Sequence, residues 1–402
     1  MFKFDFQIEE DEDDHLNIAS GSTATAQAGP STTPSTLKEE GNTDCHHISL
    51  EELVNSLPEE ISYSPINFPF SSKSLLRRDL FDARFQLYNR PDPSSSTDSQ
   101  NQKANNQEEG EEYVDAQTDL IPGLYEGGLK SWEGGVDLVE VINSIGDDQK
   151  VAEWASGSRI LEVGCGTALP TLYILRSIFA SSLNSNKTIL HMQDYNSLVL
   201  SLVTLPNLIL TALPFLPTEA LHVPTEEEDL EDVLPDLENA GQFIITPILI
   251  NAFKQLLKEK NIELKFTFGD WRGLANDLKI QNEGYDLVLT AETIYAEDNN
   301  SSLLGVLKEA INKRSSQDEK QIHKETINLE DSLGDLKVDD EWKNPLSERG
   351  NGFVLVAAKV LYFGVGGGLT AFLNRVEENK GWWKDVKEWT KGVGRKVVQV
   401  GW

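Results

Sequence analysis

The sequence predicts a doubly wound α/β fold, a largely parallel sheet covered by helices, and three stretches predict it. The first runs from Arg159 to Leu175. Ile160–Val163 is a short apolar strand, and Gly164 and Gly166 let the chain turn tightly with no Cβ in the way of a ligand. Pro170 then opens a helix where a missing N–H costs little. The second stretch, Thr188–Asp194, is a strand ending in an acid. The third, Tyr285–Thr290, is a continuous apolar strand of the buried parallel kind, and it delivers Ala291-Glu292-Thr293-Ile294-Tyr295 at its carboxyl end. Ligands of such sheets sit at the carboxyl ends of the strands, so the candidate residues gather there.

Length and charge bound the rest. The chain has 402 residues, 39% of them hydrophobic, and a formal net charge of −31. That is room for one large domain with appendages, or for two domains. Residues 1–60 hold 14 Asp and Glu against 2 Lys and Arg. Such acidity argues against nucleic acid as the main ligand, because phosphate binding needs clustered cations. It suits a basic protein partner steered by the field, or serves solubility alone. Two cysteines, Cys45 and Cys165, imply no disulfide framework; Cys165, inside the glycine turn, reads as a small filler. Met1-Phe2-Lys3-Phe4-Asp5-Phe6 lacks an apolar core, which predicts no secretory signal. Ser197 to Thr218 is uncharged, yet Pro206, Asn207, Pro214 and Pro217 break it, so it reads as a helix and a buried strand and not as a membrane span.

In chain order, residues 1–43 read as a disordered acidic, low-complexity tail. Residues 44–118 read as an N-terminal appendix and polar linker, with a helix start at Ser49-Leu50-Glu51-Glu52. Residues 119–402 form the main domain, with acidic or charged inserts at 218–239 and 314–348. Its opening, Asp119 to Gly135, sets two glycine pairs around Trp132, which predicts a shaped loop, with a helix from Val136 to Ile145. Ile248–Glu259 reads as a helix, and Ile262–Phe268 as a strand ending in Gly269-Asp270-Trp271. Ser301–Lys313 and Ala371–Glu378 read as helices. Phe353–Val360 is a strand running into a glycine loop, Tyr362–Gly368, and Lys396–Val400 is a last antiparallel strand.

The motifs exclude several chemistries. A dinucleotide fingerprint needs a third glycine three residues after Gly166, where Leu169 stands. The six histidines form no metal-spaced cluster, and no G-x-x-x-x-G-K occurs. What stands is E-x-G-x-G-x-x-x-P, Glu162 to Pro170, which resembles motif I of the seven-β-strand S-adenosylmethionine-dependent methyltransferases. Ahead of it, Tyr125-Glu126-Gly127-Gly128 through Trp132-Glu133-Gly134-Gly135 is similar to the protein-histidine N-methyltransferases of the methyltransferase-like group, as is Arg77-Arg78-Asp79-Leu80-Phe81.

That resemblance implies a Rossmann-like, seven-stranded, mostly parallel sheet and S-adenosylmethionine as cofactor. It implies that Glu162, Gly164 and Gly166 hold the methionine end, that the Trp132 loop covers it, and that Asp194 and Asn196 meet the ribose. Asp270 and Trp271 correspond to an adenine-binding pair, and Glu292 with Tyr295 to an acid and a tyrosine facing the substrate. Two readings stay open from the residues themselves: Asp194 as a helix N-cap, and Trp271 as a rim residue of the core. Lysine-directed relatives carry Asp where Glu292 stands. The implied substrate is the Nτ nitrogen of a histidine in a large-subunit ribosomal protein. The rivals are a lysine N-methyltransferase and a non-catalytic scaffold. The expected protein is a monomer of the cytoplasm or nucleus that binds a basic protein, with no metal, membrane or direct nucleic-acid contact.

Overall fold

The computed structural model describes residues 44–88, 128–183, 186–222, 235–282, 284–312, 352–362, 367–390 and 392–402. The expectations for the tail at 1–43, the linker, the insert at 314–348, most of the insert at 218–239 and the run Tyr125–Gly127 lie outside these residues. All described residues fall in one compact unit, Asn42–Trp402, so the ordered part of the appendix is built into it.

The strands are β1 (Cys45–Ile48), β2 (Glu60–Asn67), β3 (Ser74–Arg78), β4 (Arg159–Val163), β5 (Thr188–Asp194), β6 (Gly241–Ile244), β7 (Ile262–Gly269), β8 (Leu287–Ala291), β9 (Phe353–Lys359), β10 (Trp382–Trp389) and β11 (Arg395–Gly401). Eight form one sheet in the order β1-β7-β5-β4-β8-β9-β11-β10. Five central strands, β7-β5-β4-β8-β9, are parallel. β11 runs antiparallel to both β9 and β10. Seven of the strands make the expected sheet. The eighth, β1, comes from the appendix and closes the other edge antiparallel to β7.

The central strands β4, β5, β8 and β9 are buried on both faces, which is why β4, β8 and β9 read as largely apolar runs. Side chains alternate between faces. Ile160, Leu190, Leu287, Leu289 and Leu355 pack with the helices Glu133–Asn143, Leu169–Ala180 and Pro247–Glu259. Leu161, Val163, Val288, Val354 and Val356 pack with Trp271–Gln281, Asn300–Ala310 and Leu369–Glu378. The chain starts at β4, works outward through β5 and β7, then returns to β8 on the other side. That reversal opens a crevice at the strand ends between β4 and β8.

Three sequence expectations are corrected. The stretch from Ser197 is not a helix and a strand but a continuous helical run to Phe215, with a π-turn at Leu200–Thr204. Pro206 falls in the first turn of the renewed α-helix, and the wider π-turn absorbs its missing N–H. This run is long and apolar enough to cross a membrane, but 83% of its most apolar window is buried inside the protein. Gly134 and Gly135 are not loop residues; they lie in the first turn of the helix Glu133–Asn143, with Trp132 at the N-cap position and no side-chain cap. Five strands were not foreseen: β10, the edge strand β1 from the appendix, and β2, β3 and β6, which form a separate three-stranded sheet. The expected start at Ser49 is there as a reciprocal cap, Ser49 Oγ accepting from the Glu52 N–H and Glu52 accepting from the Ser49 N–H.

Candidate active site

A cavity of about 530 Å³ follows the carboxyl ends of β4, β5, β7 and β8. All ten residues named from sequence line it: Trp132, Glu162, Gly164, Gly166, Asp194, Asn196, Asp270, Trp271, Glu292 and Tyr295. Their arrangement begins with the turn after β4. Gly164 has φ +62°, and a Cβ there would lie 2.6 Å from Thr293 Cγ2. Gly166 has φ +50° and approaches the backbone of Gly128. Both conformations favour glycine, and the approach at Gly164 leaves no room for a Cβ unless Thr293 moves.

The turn is held by groups that no motif names. Thr204 Oγ1 donates to the Gly166 carbonyl at 2.7 Å, and Asn207 Nδ2 donates to the Thr167 carbonyl at 3.1 Å. Asn207 Oδ1 in turn accepts the Arg78 N–H at 2.8 Å, so the Arg77-Arg78-Asp79 segment reaches the glycine turn through one side chain. The π-turn thus backs the site, where such turns commonly occur. The uncharged run had hidden these two buried polar residues among its apolar ones.

Glu162 is buried, and its Oε2 accepts both the N–H and the O–H of Thr171. Asp194 Oδ2 accepts the Gly166 N–H at 2.9 Å. The cap of the following helical run is Asn196, whose side chain accepts the Leu198 N–H at 2.9 Å, so the N-cap reading of Asp194 is not needed. Trp271 is aimed by Gln193: Gln193 Oε1 accepts from the indole N–H at 3.1 Å and from the Gly164 N–H at 3.3 Å. Gln193 was missed, although a polar residue on a strand of buried neighbours beside a strand-end acid is a usable signal. Asp270 lines the cavity, but both of its oxygens accept from Arg272, at 2.9 and 2.8 Å. Cys165 is buried, and burial pushes its thiol well up, away from nucleophile chemistry.

At the other end of the cavity stands Glu292, just beyond β8, with φ +57°. A non-glycine residue in this region costs roughly 1–2 kcal/mol. Its N–H donates to the Ala357 carbonyl at 2.9 Å. Its Oε1 accepts the Gly134 N–H at 3.3 Å, and its Oε2 accepts the Tyr362 hydroxyl at 2.5 Å. A Cβ on Gly134 would lie 3.1 Å from Glu292 Oε1, which explains the glycine in a first helical turn. Burial raises the Glu292 carboxyl above its ordinary range; the hydrogen bond from Tyr362 and the charge of Lys359 oppose that rise. Trp132 is half-buried beside it, with Lys130 Nζ 5.1 Å and Lys359 Nζ 6.0 Å from the ring centroid. Tyr295 is half-buried and lines the same end.

A reversing parallel sheet, a glycine turn after its first strand and acids at or near the ends of four adjacent strands, β7, β5, β4 and β8, make the site of a class I S-adenosylmethionine-dependent methyltransferase. The chain is 31% identical over 328 residues to histidine protein methyltransferase 1 of Saccharomyces cerevisiae, covering 80% of this chain and 74% of that protein. It is 28% identical over 356 residues to the protein of the same name in Schizosaccharomyces pombe, covering 87% of this chain and 83% of that one. The chain belongs to the histidine protein methyltransferase 1 family. No family model matches it. Among solved structures, a SAM-dependent methyltransferase from Agrobacterium tumefaciens overlaps loosely, at TM-score 0.34 and 8% identity, over 85% of this chain and 70% of its own.

The donor set fits S-adenosylmethionine. The glycine turn leaves room that a Cβ would fill, and the Asp194 carboxylate stands at the β5 end for ribose hydroxyls. With the cofactor bound, Trp271 would offer a fixed ring for adenine, and Glu162 an acid for the methionine ammonium. One pH effect follows. Burial pushes the Glu162 carboxyl up to about 8, against the two Thr171 hydrogen bonds and with the help of Asp194. Its raised pKa leaves it mostly protonated at neutral pH. A cationic ligand favours the ionised form, so binding lowers the pKa and releases a proton. Calorimetry at pH 7 in buffers of different ionisation enthalpy is expected to show release of up to about one proton per ligand, vanishing as the pH passes well above the raised pKa. Proton uptake, or none at pH 7, would contradict the assignment.

Proposed function

We propose that this protein transfers a methyl group from S-adenosylmethionine to the Nτ nitrogen of a histidine in a basic protein, a large-subunit ribosomal protein in the reading its sequence resemblance implies. The observation that carries it is the strained, doubly hydrogen-bonded Glu292 at the substrate end of the cavity. The names of the two yeast relatives support histidine as the methylated residue. The net charge of −31 suits a basic partner over a nucleic acid. A monomer working in the cytoplasm or nucleus completes the reading.

S-adenosylmethionine supplies an electrophilic methyl on a sulfonium, whose C–S bond breaks with its electron pair passing to sulfur. The chain's own residues do the rest. A neutral imidazole, with a pKa of about 6.5, already has a nucleophilic lone pair at neutral pH. The site therefore has to orient it more than activate it. Glu292 accepts the Nπ–H, which leaves the Nτ lone pair facing the methyl. As charge moves onto the ring, the same carboxylate lies against the forming imidazolium and stabilises it. The proton at Nπ afterwards leaves to water. Trp132, Tyr295 and Tyr362 wall this end.

The test is incubation of the purified protein with radiolabelled S-adenosylmethionine and an extract from cells lacking the endogenous activity, followed by hydrolysis and amino-acid analysis. Label in τ-methylhistidine on a basic protein is the expected result. Label in methyllysine would overturn the substrate residue, and label on no protein at all would overturn the enzymatic reading.

A further inference from the structure

Glu292 is clamped to an extent that a simple acceptor does not need. Its backbone N–H is tied to Ala357 on β9. Its Oε1 is tied to the N-terminus of the helix Glu133–Asn143 through Gly134. Its Oε2 is tied to Tyr362, three residues beyond the end of β9. The Tyr362 hydroxyl itself accepts the Lys359 N–H at 3.3 Å, so its single proton is committed to Glu292. Two contacts, from the helix start and from the residue beyond β9, therefore fix the plane of the carboxylate, and the bond to β9 anchors a backbone held at a positive φ that the residue would otherwise avoid.

A neutral imidazole has two tautomers, and the nitrogen that attacks is the one without the proton. An acceptor at a fixed place selects the tautomer and the edge of the ring turned to the methyl. A carboxylate free to rotate would take the N–H of either nitrogen. We propose that Tyr362 is a positioning residue that locks the Glu292 carboxylate and so determines which imidazole nitrogen is methylated. The inference rests on the reading of Glu292 as acceptor of the ring N–H, and it goes beyond it by assigning regiochemistry to a second residue.

The charged groups facing Glu292 are Lys359 from β9, Glu133 from the capped helix and Arg395 from β11. Against burial, the Tyr362 hydrogen bond helps hold the carboxyl down. Removing that bond raises the Glu292 pKa further, and the acid limb of the rate moves to higher pH.

The experiment uses the full chain carrying Tyr362→Phe, which keeps the ring's packing. It measures kcat and KM across pH and the ratio of τ- to π-methylhistidine by mass spectrometry of the hydrolysate. One lost hydrogen bond to a charged group is expected to lower kcat about tenfold, with KM nearly unchanged. The acid limb should rise, and the π isomer should appear beside the τ isomer. A second variant, with 3,5-difluorotyrosine at 362, carries a stronger donor, keeps one isomer and moves the acid limb down. Binding of S-adenosylhomocysteine by both variants shows that the site is folded. A single isomer with an unmoved acid limb in the Phe variant overturns the role of Tyr362. If Glu292→Gln retains full rate, the acceptor reading has failed instead, whatever Tyr362 does.

Discussion

Glu292→Gln is expected to lower kcat by about a hundredfold or more, while affinity for S-adenosylhomocysteine changes by less than about threefold. The amide keeps the size of the side chain and one carbonyl oxygen, so the clamp from Gly134 and the packing survive. What it loses is the negative charge and the acceptor for the Tyr362 hydroxyl. A ring N–H meeting a neutral amide gains less as the imidazolium forms, and the low dielectric of a buried site magnifies the difference. The pH profile carries a second signature. The Glu292 pKa is raised by burial, so the active carboxylate is present above that raised value and is lost as pH falls through it. The parent enzyme thus has an acid limb above the usual glutamate range, and the Gln variant has none from this residue. Steady-state kinetics between pH 5 and 9 check both points. A Gln variant with parental kcat, or with its loss confined to cofactor affinity, would remove Glu292 from the chemistry.

The parts of this fold that sequence discloses are those written in local pattern. Unbroken apolar strands, glycines at a turn and acids at strand ends depend on nearest neighbours, and they led to ten residues that line one cavity. Their placement together is a matter of geometry; their roles rest on the experiments. What stayed hidden depends on distant contacts. Tyr362 and Glu292 are 70 residues apart and meet because β8 and β9 lie side by side. Gly134 looked like half of a loop's glycine pair, and only the carboxylate against it shows why a helix tolerates glycine there. Thr204 carried no signal of its own in the uncharged run, and Asn207 stood only, with Pro206, Pro214 and Pro217, as a residue that breaks it. In the fold the break is a π-turn, and Thr204 at its end and Asn207 in the first turn of the following α-helix hold the carbonyls of the glycine turn. β10 was missed because Trp382-Trp383-Lys384-Asp385 lacks alternation, as befits an edge strand with a bulge.

Gly164→Ala is expected to weaken binding of S-adenosylhomocysteine at least about tenfold, a cost of about 1.4 kcal/mol, with catalysis at fixed cofactor falling in step. Two costs fall on the same methyl. The backbone sits at φ +62°, where a Cβ costs roughly 1–2 kcal/mol. The new Cβ also lies 2.6 Å from Thr293 Cγ2, closer than any stable contact. Thr293 cannot simply swing away, because its hydroxyl is bonded to Thr290 at 2.7 Å and Thr290 is bonded to the Val163 carbonyl at 2.9 Å. The turn must shift instead. Gly164 donates to Gln193, the residue that aims Trp271, so the shift spreads from the methionine end of the cavity to the ring proposed for adenine. Titration calorimetry gives the affinity, and a thermal melt without ligand separates a displaced cradle from a lost fold. Parental affinity in a folded Gly164→Ala protein would mean that the cofactor does not use this turn.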